Sequence, residues 1–292
     1  MAIAVSIDGH IVPPEEARVS VFDHGFLFGD SVYEVVRTRR GVLVTLTEHM
    51  ARFRASAGAI HFELPWSDAE MGERIRGAVA AGGNPESYVR VIATRGVGEI
   101  SLLPDTCTPG FIVIVRPLPE PPAAVARDGI AVILSRRPRN DRRALSPGAK
   151  TGNYLNNVLA LIEARKAGGD DALLANPSGI LAEATTSNLF FVKDGVVHTP
   201  ALDSGILAGI TRDLLIRVLR TEGVSVEEGS YPPEILREAS EVFLTSTIRG
   251  VAPVVRIDGE PVGDGWPGPM AARLVGLYFA ELDRLADEAS AS

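Results

Sequence analysis

Short apolar segments separated by turn residues are the feature that most constrains the fold of this chain. Its 292 residues include 29 glycines and 20 prolines, well above average usage but without a triplet period. This composition predicts many tight turns between short elements and excludes collagen-like and low-complexity chains. With 46% apolar residues the chain can bury a sizeable core, so extensive disorder is excluded as well.

Apolar periodicity and turn signals predict where the elements lie. Asp8-Gly9, between alternating apolar residues, is typical of a type I′ hairpin. Ser67 and Glu70 have the spacing of a capping box and predict a helix start. Strands are expected at 30–38, 41–46, 88–96, 111–118, 129–135, 171–175, 179–184, 188–192, 196–200, 241–247 and 251–259. Other helices are expected at 47–57, 211–223 and 270–286.

A further helix is expected from Asn153, where four apolar residues recur at the spacing of a helix with one buried face. They are Leu155, Val158, Leu159 and Ile162. Residues 119–127 carry three prolines without periodicity and are interpreted as a linker. The mixture of elements predicts an α+β fold with a small N-terminal α/β domain over 1–118 and a larger C-terminal domain over 128–292.

Charge and cysteine content exclude several classes of partner. The formal net charge is −8, so there is no basic field to attract nucleic acid or anionic lipid. Cys107 is the single cysteine and cannot form an internal disulfide, which fits a reducing cytoplasm. The N-terminus lacks the basic region of a signal peptide, and no apolar run has a membrane-spanning length. We therefore expect a cytoplasmic protein without membrane or nucleic-acid partners.

Only three of the 29 basic residues are lysines, so each lysine is a candidate for chemistry that arginine cannot perform. Arginine does not lose its proton in proteins and cannot act as an amine nucleophile. Lys166 suits a helix C-terminus and Lys193 precedes a turn. Lys150 stands just ahead of the helix expected near Asn153, whose positive end disfavours an ammonium group. It is either a Schiff-base lysine or a solvated loop residue.

Other polar groups have both structural and functional interpretations. Glu183, among apolar neighbours, either has a cationic partner or faces solvent at a strand end. A glycine turn before Thr211 and Arg212 is either an anion site or a capped helix. The remaining candidates are the hydroxyl-rich loop 245–247, the helical arginines Arg52 and Arg54, and the basic loop 136–143, which is normally solvated but precedes Lys150.

One amine, one carboxylate, two hydroxyl loops and an arginine for a phosphate match the needs of pyridoxal phosphate. The stretch from Glu183 through Asn188, then Thr199, then residues 207–212 (Leu-Ala-Gly-Ile-Thr-Arg), resembles the signature of class IV aminotransferases, the fold type IV pyridoxal phosphate enzymes. Segments 22–38, 48–57 and 150–160 extend the resemblance over nearly the whole chain. It implies a two-domain fold type IV enzyme whose C-terminal domain binds the cofactor.

Position by position, the resemblance implies the cofactor residues. Lys150 carries the Schiff base and moves the proton, Glu183 pairs with the pyridine nitrogen, and Arg52 rather than Arg54 binds the phosphate. Tyr154 lies near the ring hydroxyl and Leu207 packs on the ring. The remaining phosphate contacts are Ile210, Thr211, Ser246 and Thr247.

Substrate signals are mixed. Tyr88 and Arg90 match the Tyr-x-Arg of branched-chain L-amino acid members, and the Arg-x-His clamp of D-amino acid members is replaced by Ile100 and Leu102. However, Lys150-Thr-Gly-Asn is one residue shorter than the branched-chain motif, as in D-amino acid transaminases and aminodeoxychorismate lyases. Further substrate candidates are Tyr33, Arg37, Ile248 and Arg249; Arg249 either binds a second carboxylate or points to solvent.

The leading hypothesis is a ping-pong aminotransferase that moves an amino group from an L-branched-chain or hydrophobic amino acid to 2-oxoglutarate. The alternatives are an aminodeoxychorismate lyase forming 4-aminobenzoate, a D-amino acid or (R)-amine transaminase, and a protein that keeps the fold without the chemistry. The resemblance implies a homodimer with pyridoxal 5'-phosphate, and we assign no metal ligands.

Overall fold

The computed structural model describes residues 2–119 and 123–291 and divides into two compact units. The first unit comprises residues 2–119, 149–153 and 282–291, and the second comprises 123–148 and 154–281. Each unit combines a sheet with helices, so the expected two-domain α+β fold is confirmed. The middle of the expected linker, 120–122, lies outside the described residues.

The first unit is built on a six-stranded sheet ordered β2-β1-β6-β5-β3-β4. Its strands are β1 Ala4–Ile7, β2 His10–Val12, β3 Ser31–Arg39, β4 Val42–Leu43, β5 Ser87–Val97 and β6 Thr108–Pro117. Its helices are α1 His24–Phe28, α2 Leu46–Ala59 and α3 Asp68–Gly82. One sheet face forms the core with Met50 and Phe53 of α2 and Met71 and Ile75 of α3.

Local signals account for several of these elements. Asp8 and Gly9 have φ values of 50° and 91°, as a type I′ hairpin between β1 and β2 requires. Ser67 caps α3 and the Glu70 side chain bonds back to the Ser67 backbone, so the capping box is confirmed. The helix expected at 47–57 is present as α2, two residues longer at its C-terminal end.

The second unit contains a nine-stranded sheet with the path β12-β11-β10-β13-β14-β7-β8-β9, and β15 pairs with β14. The strands are β7 Ile130–Leu134, β8 Asp171–Ala175, β9 Leu181–Ala184, β10 Asn188–Lys193, β11 Val196–Pro200, β12 Val226–Gly229, β13 Glu241–Ser246, β14 Gly250–Ile257 and β15 Glu260–Pro261. Because β9 also pairs with β10, the path closes on itself.

The remaining helices are α4 Ala123–Asp128, α5 Leu155–Lys166, α6 Ile210–Thr221 and α7 Pro269–Ala291, with short 3-10 turns at Leu202–Ser204 and Pro233–Glu238. α4 occupies the C-terminal part of the expected linker. The last residues of α7 belong to the first unit, where Asp283 pairs with Arg39 at 2.8 Å. No helix in the described ranges is long and apolar enough to cross a membrane. The cytoplasmic location stays a prediction.

Within the single chain, the helix after Asn153 does not bury the predicted apolar face. α5 buries Asn157, Ala160 and Ala164 against β7 and β8. The four apolar residues of the pattern are exposed instead, with Leu155 67% accessible. Small side chains let this helix approach the sheet closely, so the larger apolar residues lie on the opposite face. They are Leu155, Val158, Leu159 and Ile162.

Candidate active site

The Lys150 segment joins the first unit although the chain on either side of it belongs to the second. The Tyr33 amide donates to the Lys150 carbonyl at 3.0 Å, and the Gly152 amide donates to the Ser31 carbonyl at 2.8 Å. The Lys150 amide in turn donates to Ser56 Oγ on α2 at 3.0 Å. Lys150 is therefore fixed by backbone hydrogen bonds to a strand and a helix.

Gly152 allows the segment to approach β3. A Cβ atom at this position would overlap Ser31 Oγ and lie 3.0 Å from the Gly29 carbonyl oxygen. The glycine two residues after Lys150 is therefore needed for close backbone approach.

The amine of Lys150 lies against Tyr33 of β3. Lys150 Nζ donates to Tyr33 Oη at 3.2 Å and lies 4.3 Å from the centroid of the ring. The guanidinium carbon of Arg90 lies 3.9 Å from the same centroid. The Tyr33 side chain therefore contacts both the amine and one guanidinium, an arrangement suited to binding an anionic group near Lys150.

The other substrate candidates of this unit lie on the same sheet face as Tyr33. Arg37 pairs with Tyr88, and Val35 pairs with Arg90, so all four side chains share the face of Tyr33. Arg116 of β6 adds a guanidinium whose carbon lies 4.3 Å from the Tyr88 centroid. The apolar residues on this face are Val35, Ile92, Ile112 and Ile114.

Arg52 of α2 lies on the side of the sheet facing α2. Its Nε donates to Glu34 Oε1 and its Nη2 to Glu34 Oε2, both at 2.7 Å. His49 Nδ1 lies 2.7 Å from Glu34 Oε2, and the side chains of His49 and Glu34 are fully buried. Arg54, the rejected alternative, forms an exposed pair with Asp68 instead.

Glu183 is the centre of the polar cluster in the second unit. Arg139 Nε donates to its Oε1 at 3.1 Å, while Oε2 accepts from the Leu207 amide at 3.0 Å and from Asn188 Nδ2 at 3.3 Å. Glu183 and Arg139 are both buried, so the interpretation of a solvent-facing strand end is wrong. The cationic partner that a buried carboxylate requires comes from the basic loop 136–143.

Two further features of the second unit suit an anionic or polar ligand. α6 begins after Gly209 without a side-chain cap, which leaves the first amides, those of Ile210 and Thr211, to a ligand. A Cβ on Gly209 would overlap Asn188 Oδ1, so this turn is closely packed. Thr245 Oγ1, at the end of β13, is buried without a hydrogen-bond partner in the described residues.

The rest of the predicted residues have structural contacts as well. Ser246 Oγ accepts from the Arg249 amide at 3.3 Å, and Thr247 O accepts from Tyr278 Oη at 3.2 Å. Arg249 Nη1 donates to buried Asp171 at 2.8 Å, a contact that anchors the loop containing Ser246, Thr247 and Ile248. Arg212 is fully buried and donates to Glu228, while Tyr154 precedes α5.

The chain matches the model of the family Amino-transferase class IV over residues 31–257. It is 37% identical over 270 residues to a putative branched-chain-amino-acid aminotransferase of Methanocaldococcus jannaschii, with 92% of this chain and 93% of that protein covered. It is 34% identical over 288 residues to the D-alanine aminotransferase of Listeria monocytogenes, covering 97% of this chain and 98% of that one.

A solved structure is similar over the whole chain. The T.th. branched-chain amino acid aminotransferase, complexed with N-(5'-phosphopyridoxyl)-L-glutamate, superposes with a TM-score of 0.92 at 34% identity, covering 100% of this chain and 97% of that chain. This chain therefore belongs to the class IV aminotransferases. It is a pyridoxal-phosphate-dependent transaminase with the fold type IV architecture, as the sequence predicted.

Three residues around this site were not identified from the sequence. Glu34 pairs with Arg52 and also contacts His49, and Arg139 pairs with Glu183. In the sequence, Glu34 is marked only as a charged residue among apolar ones, and Arg139 only as one of several clustered arginines. The roles assigned to individual site residues stay predictions.

Replacing Gly152 tests the close approach of the Lys150 segment. Gly152→Ala places a methyl group against Ser31 and the Gly29 carbonyl, so we expect a loss of about 1–3 kcal/mol in stability and a lower catalytic rate. Gly148→Ala is the control, since its nearest heavy atom would be 3.6 Å away. Thermal denaturation and steady-state kinetics of both variants provide the measurement; equal behaviour would contradict the packing argument.

Removing the partner of Glu183 should destabilise the second unit. Arg139→Gln leaves a buried carboxylate without its guanidinium, a change that costs about 3–5 kcal/mol in comparable buried pairs. Arg142→Gln, which removes an exposed donor to the Asp203 carbonyl, should have little effect. Differential scanning calorimetry compares the two, and a melting temperature unchanged in Arg139→Gln would refute the assignment.

Proposed function

We propose that this enzyme transfers the amino group of an L-branched-chain or other hydrophobic amino acid to 2-oxoglutarate. The observation that carries the proposal is the sheet face next to Lys150, where Tyr33, Tyr88 and Arg90 share a surface with four half-buried aliphatic side chains. Arg90 suits the carboxylate of an amino acid, and the aliphatic residues suit an apolar side chain.

Lys150 and Glu183 are assigned the central chemical roles. Bound pyridoxal phosphate supplies an electron sink that makes the Cα proton of an amino acid acidic. Lys150 Nζ would move this proton, acting first as general base and then as general acid. Glu183, oriented by Arg139, Asn188 and the Leu207 amide, would hold the pyridine nitrogen of the cofactor and favour its protonated form.

The phosphate is assigned to Arg52 and to hydroxyl and amide donors. The first amides of α6 at Ile210 and Thr211 lack a side-chain cap, which supports an anion site there. Ser246 and Thr247 add donors from the loop that Arg249 anchors. Since donor and acceptor acids use the same residues in turn, the kinetics should be ping-pong.

A second candidate is transfer from D-alanine. It is favoured by relatives such as the D-alanine aminotransferase of Listeria monocytogenes, whose identity to this chain is close to that of the branched-chain relative. Against it, Ile100 and Leu102 stand in place of the polar clamp of D-amino acid members, and both side chains are exposed. The aminodeoxychorismate lyase alternative uses the same lysine, and its product, 4-aminobenzoate, distinguishes it from a transaminase.

An amino-donor panel tests the proposed reaction. With L-leucine, L-isoleucine, L-valine and D-alanine as donors and 2-oxoglutarate as acceptor, we expect glutamate from the L-donors and parallel double-reciprocal plots. Lys150→Ala should abolish transfer and the visible absorbance of lysine-bound cofactor, whereas Lys193→Ala, which removes a half-exposed ion pair with Glu238, should retain both. Glutamate from D-alanine alone, or 4-aminobenzoate from aminodeoxychorismate, would reject the proposal.

We also propose that the enzyme is a homodimer in which the exposed face of α5 packs against a second copy. Val158, Leu161 and Ile162, with Arg165 and Lys166, line a shallow groove of about 410 Å³. Exposed aliphatic side chains at helical spacing are expected to be covered by another surface. The family resemblance implies a homodimer, so we take a second copy of this chain as the partner that covers this face.

A charge placed in this face should weaken the dimer. Ile162→Asp buries a carboxylate among aliphatic side chains in the assembly, so we expect a shift toward the monomer mass in sedimentation velocity. Arg217→Asp, on the exposed side of α6, is the control and should leave the mass unchanged. An Ile162→Asp variant with the wild-type mass would exclude this face from the dimer interface.

A further inference from the structure

A buried carboxylate, Glu34, occupies one edge of the Arg52 guanidinium. Nε and Nη2 of Arg52 donate to the two oxygens of Glu34, both at 2.7 Å. This bidentate geometry fixes the plane of the guanidinium as well as its position. The Glu34 side chain is fully buried and that of Arg52 is 12% exposed, so water competes little for the pair.

His49 holds Glu34 from the other side. Burial lowers the pKa of His49 below its usual 6.5 and outweighs the opposite effect of Glu34, so the ring is neutral. Burial alone would raise the pKa of Glu34, but the hydrogen bonds and charges of Arg52 and His49 lower it to about 2. Glu34 is thus an ionised acceptor, and the proton of the neutral ring lies on Nδ1, 2.7 Å away.

The Nδ1-protonated form of His49 costs free energy, which indicates that the cluster serves a purpose other than stability. With its proton on Nδ1, His49 presents Nε2 as an acceptor, and Nε2 is buried without a hydrogen-bond partner in the described residues. A buried acceptor left unpaired costs about 1–3 kcal/mol. A core built only for stability would favour apolar residues here, because buried ion pairs contribute little net stability.

We propose that Glu34, held by His49, is a positioning residue that presents the second edge of the Arg52 guanidinium to the cofactor phosphate. The inference rests on the proposed role of Arg52 as a phosphate ligand. Glu34 does not touch the cofactor; it fixes the orientation of a residue that does. A guanidinium already fixed in its plane loses less conformational entropy when it binds a phosphate.

Two substitutions separate geometry from charge. Glu34→Gln keeps the shape but removes the charge and one acceptor, while Glu34→Asp keeps the charge but withdraws the carboxylate by one methylene. Because removing a negative charge by itself favours an anion, simple electrostatics predicts tighter cofactor binding in Glu34→Gln. The positioning role predicts weaker binding in both variants.

The test is the dissociation constant of the apoenzyme for pyridoxal phosphate and for pyridoxal, which lacks the phosphate, measured by quenching of tryptophan fluorescence. Loss of one well-oriented charged hydrogen bond weakens binding about tenfold or more. We expect this loss for pyridoxal phosphate in Glu34→Gln and Glu34→Asp, and no change for pyridoxal. His49→Asn, whose amide can replace the Nδ1 donor, should retain most of the affinity.

Controls separate the possible failures. Asp68→Asn removes the carboxylate partner of exposed Arg54 on the same helix and should change neither constant. Arg52→Gln should weaken pyridoxal phosphate selectively, and adding Glu34→Gln to it should cause no further loss. If Arg52→Gln has no phosphate-selective effect, the proposed role of Arg52 fails and the inference with it. The positioning role alone is overturned if Arg52→Gln weakens binding of pyridoxal phosphate but both Glu34 variants bind it normally or more tightly. It is also overturned if the Glu34 variants lose as much affinity for pyridoxal as for pyridoxal phosphate.

Discussion

The backbone pairing of residues 149–153 with β3 is the constraint on which the placement of Lys150 in the first unit depends. Through it the only lysine with a candidate chemical role becomes part of the first unit's sheet. Thr151 forms a bridge with Val32, and the Lys150 amide is fixed by Ser56 of α2. Because the lysine side chain is long and flexible, the position of its amine is better defined when the main chain that carries it is fixed by hydrogen bonds. The amine reaches Tyr33 Oη because its main chain is already in place.

In the second unit, the same control is exerted by closure of the sheet. Asn188 on β10 lies opposite Glu183 on β9, and the Asn188 amide donates both to Glu183 and to the Leu207 carbonyl. Leu207 returns a hydrogen bond to Glu183 through its own amide. Strand pairing thus sets the distance between the two side chains, and the turn before α6 is tied to the same carboxylate. Orientation of Glu183 follows from the sheet, not from its own rotamer preferences.

Features set by neighbouring residues were predictable from the sequence, and features set by distant ones were not. The Asp8-Gly9 hairpin and the Ser67 capping box need only local geometry, and both are present. For Glu183 the sequence leaves open a cationic partner or exposure to solvent, because the partner lies 44 residues away in a loop whose arginines look alike. The apolar stripe of α5 does not pack on the sheet. A period of 3.6 residues predicts that a helix has two different faces, but it does not predict which of them meets the sheet.

Bidentate acid–arginine pairs, buried or half-buried, also give a physical meaning to the scarcity of lysine. Arg95 donates through Nε and Nη2 to Asp30, Arg39 does the same to Asp283, and Arg52 to Glu34. Each pair uses a planar fork that an ammonium group does not have, so lysine is a poor substitute there. Lys150 is the opposite case, because its proposed role requires an amine that can lose its proton and form a covalent bond. Of the three lysines, Lys150 is the one whose proposed role arginine could not perform, and this is why it stands out in the amino-acid sequence itself.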